Sequence, residues 1–310
     1  MKIRTTVEAD LDFIRTAITE QSINTVTPER FNEYIVSGYY RHEWSWVAEQ
    51  DGEIVALAIW WGMPQAEHPY SIDGLYAVPG VDRVAVWTEL IRAGAASVPS
   101  GGDGPEYHLF LPNGWRDQAD VVEAFEPRAE AAARAGLSER TERLRYEWLP
   151  EYGLPARSTR LRFEPGDDEA FLAAFRQVIE GSLDAATARE VAKVGVDGAA
   201  RQDLEIYQEM PGERSWWRLA YDEAGALVGF GLPSANNGGP VVGYLGVLPE
   251  HRGHRYSDDL LAEITHLLVE TGADRIRADT DLTNKPMAAS FERTGYRNHA
   301  VRMVLSYPIA

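Results

Sequence analysis

The same order of strand, turn and helix signals occurs twice along this chain. A hairpin of apolar strands is followed by a strand that ends in proline, an amphipathic helix, a further strand and a helix that ends in glycine. The first copy has these elements at 44–59, 74–79, 83–96, 106–111 and 131–137, and the second at 216–230, 244–249, 257–271, 274–279 and 290–296. Chance alignment of common signals is the alternative, but the shared order favours tandem copies of one α/β unit.

The spacing at the end of each copy is also equal. From the helix-ending glycine to the aromatic residue of the last strand it is 148 − 136 = 12 in the first copy and 307 − 295 = 12 in the second. Pro150, Gly153 and Pro155 interrupt the pattern between the copies. We therefore predict one domain at 1–152 and another at 153–310.

The second copy has additional elements at its start. A strand is expected at 159–163, a helix near 167–180 and another helix over Asp203 to Met210.

Composition narrows the function classes. The formal net charge of −18 argues against general binding to nucleic acid or to an anionic membrane. It favours a cationic or amine substrate, although solubility alone also explains it. The absence of Cys excludes disulfides, a thiolate metal site and a Cys nucleophile. Without a membrane-length apolar run or a secretory signal, we expect a cytoplasmic monomer.

Residues 244–257 are the most informative stretch for function. A strand ends at Val247, a Pro/Gly turn follows, and a basic loop leads into the next helix. Such an arrangement directs backbone N–H groups and the positive end of a helix at one point, which suits a phosphate.

Two short motifs in the second copy carry a family resemblance. One is a strand end with proline followed by a basic residue and glycine, and the other is an Asn before a helix that ends in an aromatic and Gly-Tyr. Their residues are Val247, Pro249, Arg252 and Gly253, then Asn284, Phe291, Gly295 and Tyr296. With both motifs in this order, the chain resembles the GNAT superfamily of acyl-CoA-dependent N-acyltransferases, and the duplication resembles its tandem members.

The resemblance implies an α/β fold of the α+β type, with two tandem units that each have a mixed, mostly antiparallel sheet flanked by helices. The fourth and fifth strands would splay apart to hold the acyl donor, acetyl-CoA or another acyl-CoA, and no metal is implied. The residues implied to bind the donor are Leu245, Gly246, Val247, Arg252, Gly253, His254, Arg255, Tyr256, Ser257, Asn284 and Phe291.

Two departures from the family pattern affect this expectation. Arg255 stands at a glycine position of the loop, where a side chain either crowds the phosphates or adds a charged contact. In the first copy Asp82 would repel phosphate, so we expect the N-terminal unit not to bind CoA. Instead, we expect it to form one side of the acceptor cleft.

Candidates for catalysis are few. The N–H of Leu245 is expected to stabilise the developing oxyanion. No Asp, Glu or His occurs between Gly225 and Pro249, which leaves Tyr244 as the titratable side chain of that strand. Asp279 and Asp281 are expected near the thioester, where one of them, with Asp281 as the candidate, relays a proton. The alternative is that they cap a loop or pair with Arg275 and Arg277.

Glu180 and Asp184 fall in the loop between the first two helices of the second copy. The resemblance makes this loop part of the acceptor site, where a carboxylate would bind a substrate ammonium. The alternative is that Asp184 caps the following helix.

The leading hypothesis is an N-acyltransferase, most simply an N-acetyltransferase, that acylates a primary amine of a small molecule by direct attack in a ternary complex. One alternative takes the acyl group from the phosphopantetheine arm of an acyl carrier protein. Another, motivated by the missing acid and base, is a non-catalytic acyl-CoA-binding module.

Overall fold

A computed structural model describes residues 1–18, 22–23, 26–99 and 104–308. The chain forms two compact units: the first consists of Met1–Glu142 with Ala300–Ala310, and the second of Arg143–His299. Both combine helices with a mixed sheet, as the sequence predicts. In the described residues no helix is long and apolar enough to span a membrane.

The first unit has a mostly antiparallel sheet in the order β1-β2-β3-β4-β5-β12, with β4 and β5 parallel. Its strands are β1 (Lys2–Thr5), β2 (Trp46–Gln50), β3 (Glu53–Trp61), β4 (Ser71–Ala77), β5 (Glu106–Pro112) and the later part of β12 (Arg297–Ser306). Its helices are α1 (Leu11–Ala17), α2 (Pro28–Ser37), α3 (Arg83–Ala96) and α4 (Ala119–Arg134).

The second unit repeats this plan with the strand order β6-β11-β10-β9-β8-β7, in which β10 and β11 are parallel. Its strands are β6 (Glu139–Trp148, from Arg143), β7 (Arg162–Glu164), β8 (Arg218–Tyr221), β9 (Leu227–Asn236), β10 (Gly239–Val247) and β11 (Ile276–Asp281). Its helices are α5 (Asp168–Ile179), α6 (Ala185–Glu209), α7 (Tyr256–Glu270) and α8 (Lys285–Arg293).

The two faces of the second sheet are covered by different helices. Phe230 and Leu232 of β9 pack with side chains of α5 and α6. Between them, Gly231 lies so close to α7 that an added Cβ would approach Ile264 to 2.8 Å. The missing side chain therefore lets α7 lie close to the sheet.

Strands β10 and β11 separate soon after they begin. Val241 pairs with Arg277, and within the described residues no later pair joins these strands. The register of β10 against β9 shifts between Val241 and Tyr244, around Gly243 at φ +70°. A Cβ there would lie 2.0 Å from the carbonyl oxygen of Leu232, so this bulge requires glycine. The predicted splaying of the fourth and fifth strands is confirmed.

The ends of α4 and α8 match in detail. The N–H of Leu137 donates to Ala132 and that of Tyr296 donates to Phe291, both at 2.9 Å. The intervening Gly136 and Gly295 both have positive φ. This correspondence supports the alignment of the copies with an offset of 295 − 136 = 159.

The last strands pair differently from what the sequence copies suggest. β6 ends the first copy but pairs with β11, and β12 ends the second copy but pairs with β5. The boundary predicted at residues 152 and 153 therefore divides sequence copies, whereas the compact units contain exchanged terminal strands.

Helix α6 is longer than predicted. The sequence indicated its end, from Asp203, but not the part that starts at Ala185. Gly195 has φ 74° and ψ 171°, so the helix is broken there, and most side chains before the break are half-buried or exposed. A short, mostly exposed helix has little apolar periodicity to detect.

Candidate active site

The turn between β10 and α7 leaves a run of backbone amides without protein partners. The amides of His251 and Arg252 donate to Leu248 and Pro249 within the turn. For the amides of 253–257, no acceptor is found in the parts of the chain that the structure describes. Unpaired amides at the start of a 15-residue helix form a site for an anion.

Arg255 adopts the backbone conformation that glycine would have at its position. Its φ of 60° and ψ of 24° are left-handed, and its exposed side chain does not cap α7. Left-handed backbone costs an ordinary residue about 1 kcal/mol. The turn therefore has the geometry of a glycine loop, with a guanidinium added at its surface.

The groove beside this turn exposes main-chain groups of β10. Leu248 donates its N–H to Val228 of β9, at 2.9 Å. Because neighbouring residues of a strand direct their N–H and C=O groups to opposite edges, Leu245 and Val247 direct theirs toward the edge that β11 has left. The N–H groups of both residues and the carbonyl oxygen of Leu245 are placed to hydrogen-bond an extended amide-containing chain, whereas the carbonyl oxygen of Val247 accepts from Arg252 Nε at 3.2 Å.

The profile of the acetyltransferase (GNAT) family matches residues 186–296. Residues 186–296 are therefore similar to the GNAT family. The match includes the turn, α7, β11 and α8. No curated protein matches the sequence.

Solved structures with a similar fold share little sequence with this chain. A GCN5-related N-acetyltransferase from Sphaerobacter thermophilus has a TM-score of 0.57 at 16% identity, covering 100% of this chain and 96% of that one. The glucosamine N-acetyltransferase region of a fungal multi-domain GH3 β-N-acetylglucosaminidase has a TM-score of 0.57 at 13% identity, over 98% and 38%. A functionally unknown protein from Staphylococcus epidermidis has 0.52 at 11%, over 85% and 94%. At these identities the likeness shows the fold.

Arg252, in the turn before α7, lies against the end of α5. Its guanidinium donates to the carbonyl oxygens of Val178 at 3.0 Å and Gly181 at 3.3 Å, and its Nε donates to Val247 at 3.2 Å. A cation there also complements the negative end of the helix dipole. Arg252 thus connects the turn before α7 to the segment between α5 and α6, and its contact with the acyl donor stays a prediction.

The acidic residues that follow the turn are neutralised. Asp258 accepts hydrogen bonds from Arg293 at 2.6 Å and Ser290 at 2.7 Å, and Asp259 pairs with Arg160 at 2.6 Å. Burial raises the pKa of Asp258, but the bonds from Arg293 and Ser290 outweigh it, so the net shift is downward. Asp258 therefore remains charged, and both carboxylates are paired with arginines.

Other predicted donor-binding residues lie at different depths. Asn284 caps α8 by accepting the N–H of Met287 at 3.3 Å, which leaves its NH₂ group to donate elsewhere. Phe291 is buried and stacks on Tyr146 with the ring centroids 4.8 Å apart. The ring centroids of His254 and Tyr256 lie 5.8 Å apart beside the turn. Gly246 precedes the turn in β10, and Ser257 follows it in α7.

Asp281 is held in an ion-pair network. It is 2% exposed, accepts the N–H of Ala185 at 2.6 Å and lies 2.9 Å from Arg143, which also contacts Asp184 at 3.0 Å. The partners expected from the sequence were Arg275 and Arg277. The structure instead places Arg143 and Arg145 of β6 opposite Asp281 and Asp279 in register.

The segment between α5 and α6 has the predicted position. Glu180 is exposed at the end of α5, and Asp184 caps α6 by accepting the N–H of Thr187 at 3.0 Å. The capping hypothesis for Asp184 is confirmed. The binding of an ammonium group by Glu180 or Asp184 stays a prediction.

Tyr244 belongs to an aromatic cluster between the sheet and α5 and α6. Its ring centroid lies 4.8 Å from Phe175, 5.4 Å from Phe230 and 5.7 Å from Tyr207. Burial raises the pKa of Tyr244 well above its ordinary value, so the phenol stays neutral. Tyr207 reaches the bulge, with its hydroxyl 3.4 Å from the carbonyl oxygen of Gly243.

Asp203 is the titratable residue that sequence reasoning missed as a candidate. It lies one turn before Tyr207 on α6, so both side chains share a helix face. Burial raises the pKa of Asp203 to about 6, and the carboxylates of Asp184 and Glu190 add to the shift. No local sequence signal marks Asp203, because Asp184 and Glu190 lie 203 − 184 = 19 and 203 − 190 = 13 residues earlier in the chain. No group of three or more His, Asp or Glu that would suit a metal is found in the described ranges.

Proposed function

We propose that this chain transfers an acyl group, most simply acetyl, from acyl-CoA to a primary amine of a small molecule. The observation that carries the proposal is the run of unpaired amides at 253–257, at the start of α7 and beside the opening between β10 and β11. A CoA thioester has the matching chemistry, because its pyrophosphate is anionic and its pantetheine arm contains amides. The match of residues 186–296 to the GNAT family profile supports the same reaction class.

Two kinds of group in the turn bind the acyl donor: backbone amides and one guanidinium. The amides of Gly253, His254, Tyr256 and Ser257 bind the pyrophosphate, and the exposed guanidinium of Arg255 adds charge at its edge. Because Arg255 keeps the left-handed conformation, the turn remains open to phosphate oxygens. This favours free acyl-CoA over a carrier protein, whose arm ends in a single phosphate without the adenosine diphosphate portion.

The reaction needs a neutral amine, a stabilised oxyanion and an acceptor for the amine proton. The amine nitrogen attacks the thioester carbonyl carbon, the C–S bond breaks, and CoA leaves as a thiolate that takes a proton from solvent. The N–H of Leu245 donates to the carbonyl oxygen as negative charge develops on it. Asp203 accepts the proton that the amine loses, directly or through water.

Asp203 is suited to this role by its environment. A base is most effective when its pKa lies near the working pH, and the pKa of Asp203 is raised to about 6. Tyr207, one turn away, places this part of α6 beside the bulge of β10. The exposed carboxylate of Glu180, at the end of α5, favours an acceptor with a second positive charge, such as a diamine, whereas Asp184 is paired with Arg143.

The direct test is release of CoA thiol from acetyl-CoA with a panel of primary amines, with the acetylated product confirmed by mass spectrometry. We expect turnover with small amines. We also expect a higher kcat/KM for diamines than for monoamines of similar size, which lack the second positive charge. Tight binding of acetyl-CoA without thiol release across the panel would contradict the proposal and favour the acyl-CoA-binding module.

A further inference from the structure

The first unit contains the same kind of groove. β4 and β5 are paired at Ser71 with Glu106 and at Ile72 with Tyr107, and they separate after these positions. Val78 donates its N–H to Val55 of β3, at 2.9 Å. By the alternation of strand residues, Leu75 then faces the opening, as Leu245 does in the second unit.

In the first unit a buried arginine occupies this opening. Arg128 of α4 is 3% exposed and donates to the carbonyl oxygen of Leu75 at 2.9 Å and to that of Ala124 at 2.7 Å. Its guanidinium lies 4.8 Å from the ring centroid of Trp87. Since a desolvated charge is costly unless its hydrogen bonds are made, Arg128 is held in the groove by these contacts.

The phosphate end of the first unit is also occupied. Asp82 caps α3, and its carboxylate accepts the N–H of Ala85 at 3.1 Å. At the corresponding start of α7, Arg255 makes no side-chain cap. A protein carboxylate therefore takes the place at α3 that a phosphate would take at α7.

The second unit has an uncharged residue at the position of Arg128. With the offset of 159, 128 + 159 = 287, and the preceding Pro127 corresponds to Pro286. Met287 packs in the same apolar cluster as Leu245 and is partly buried. The two grooves thus differ at one position by a guanidinium against a thioether.

We infer that Arg128 closes the donor groove of the first unit, and that the residue at this position decides which copy binds acyl-CoA. Each chain then binds one acyl-CoA, in the second unit, where Met287 leaves the edge of β10 open. This inference rests on the proposed function, because it assumes that the open groove holds the acyl donor.

The first measurement is the stoichiometry of acetyl-CoA binding by calorimetry with the full chain. We expect one molecule for each chain. Two molecules for each chain would overturn the closure by Arg128 while leaving the proposed function intact. No binding at all would overturn the proposed donor, and the closure inference with it.

The second measurement places an arginine at the position of the second unit that corresponds to Arg128. Met287→Arg should weaken acetyl-CoA binding by more than about 30-fold, because the guanidinium binds the main chain that the donor needs. Met287→Leu, the size-matched control, should stay within about 3-fold of wild type. Wild-type affinity in a Met287→Arg protein with a cooperative thermal transition would overturn the inference. If that variant does not fold, the wild-type stoichiometry still decides.

Discussion

At the scale of single residues, three arginines show how position determines what a guanidinium does. Arg128 is buried and donates two hydrogen bonds to main-chain carbonyl oxygens of the first unit. Arg252 likewise donates to carbonyl oxygens of the second unit. Arg255, three residues on, has an exposed side chain in a left-handed backbone. Of these three, Arg255 has the side chain that is free to meet an incoming phosphate.

Replacing Arg255 should have opposite effects on stability and on donor binding. Arg255→Gly relieves the left-handed backbone, so the free energy of unfolding should rise by about 1 kcal/mol. The same change removes a phosphate contact, so acetyl-CoA affinity should fall by about 3- to 10-fold at low salt. Urea unfolding and calorimetry measure the two effects. A variant that loses stability, or that binds the donor as wild type does, would contradict this account of Arg255.

The raised pKa of Asp203 predicts a pH dependence of activity. If Asp203 accepts the amine proton, kcat/KM should fall as the pH drops through about 6, since the carboxylate becomes protonated. Asp203→Asn should remove this limb together with most of the rate. Glu190→Gln is the control: it removes a neighbouring charge and should move the limb to lower pH. Amines of different pKa separate this limb from substrate ionisation, because only the substrate limb would move with them.

The same shift has a consequence for stability. The folded chain binds the Asp203 proton more tightly than the unfolded chain does, because the folded pKa lies above the ordinary value. Stability linked to this group is therefore present at low pH and is lost as pH rises from about 4 to about 6. Asp203→Asn should raise the Tm at pH 7 but not at pH 4. A lowered Tm at pH 7 would contradict the environment described for Asp203.

At the scale of secondary-structure elements, the segment between α5 and α6 is held at both ends. Arg252, which follows β10, binds the carbonyl oxygens of Val178 and Gly181. Asp281, which ends β11, binds the N–H of Ala185 and pairs with Arg143. The segment is thus fastened to both of the strands that separate to form the groove.

The contribution of the Asp281 contacts to stability can be measured by replacing two arginines of β6. Arg143→Met leaves the buried Asp281 without its cation and should cost about 3–5 kcal/mol of unfolding free energy. Arg145→Met breaks a more exposed pair with Asp279 and should cost about 0–1 kcal/mol. Chemical unfolding compares the two variants. Equal losses would show that the burial of Asp281 does not matter.

Much of this arrangement follows from local sequence signals, and some does not. The proline-ended strands, the helices at 83–96 and near 257–271, and the turn between β10 and α7 were predictable because apolar periodicity and turn residues lie next to each other. The partner of β6 was not, since pairing with β11 joins residues more than a hundred positions apart. For that reason the sequence did not indicate the contact between Arg143 and Asp281.

At the scale of the whole molecule, the two copies share one fold but differ in the residues at the opening between their parallel strands. Both have a pair of parallel strands that separate. In the first unit, however, Arg128 donates to the carbonyl oxygen of Leu75 in the opening, and Asp82 caps α3. The terminal strands are also exchanged, so residues 143–299 form a compact unit that begins within the first sequence copy.

The exchanged strand predicts which fragment folds. A fragment of residues 143–299 keeps β6 and should unfold cooperatively and bind acetyl-CoA. A fragment of residues 153–310 lacks β6, so β11 loses its partner strand and Asp281 loses Arg143. We expect it to be unfolded or aggregated by circular dichroism and size-exclusion chromatography. A folded 153–310 fragment would instead support the boundary drawn from the sequence copies.

The central claim is that the turn before α7 binds the phosphates of the acyl donor, and a pair of glycine variants tests it most directly. Gly253 and Gly80 both have positive φ, and an added Cβ at either would meet no atom within 4 Å. The same strain therefore accompanies Gly253→Glu in the second unit and Gly80→Glu in the first. By calorimetry with acetyl-CoA, we predict that Gly253→Glu abolishes binding and that Gly80→Glu leaves the affinity unchanged. Wild-type affinity in the Gly253→Glu protein would contradict the account.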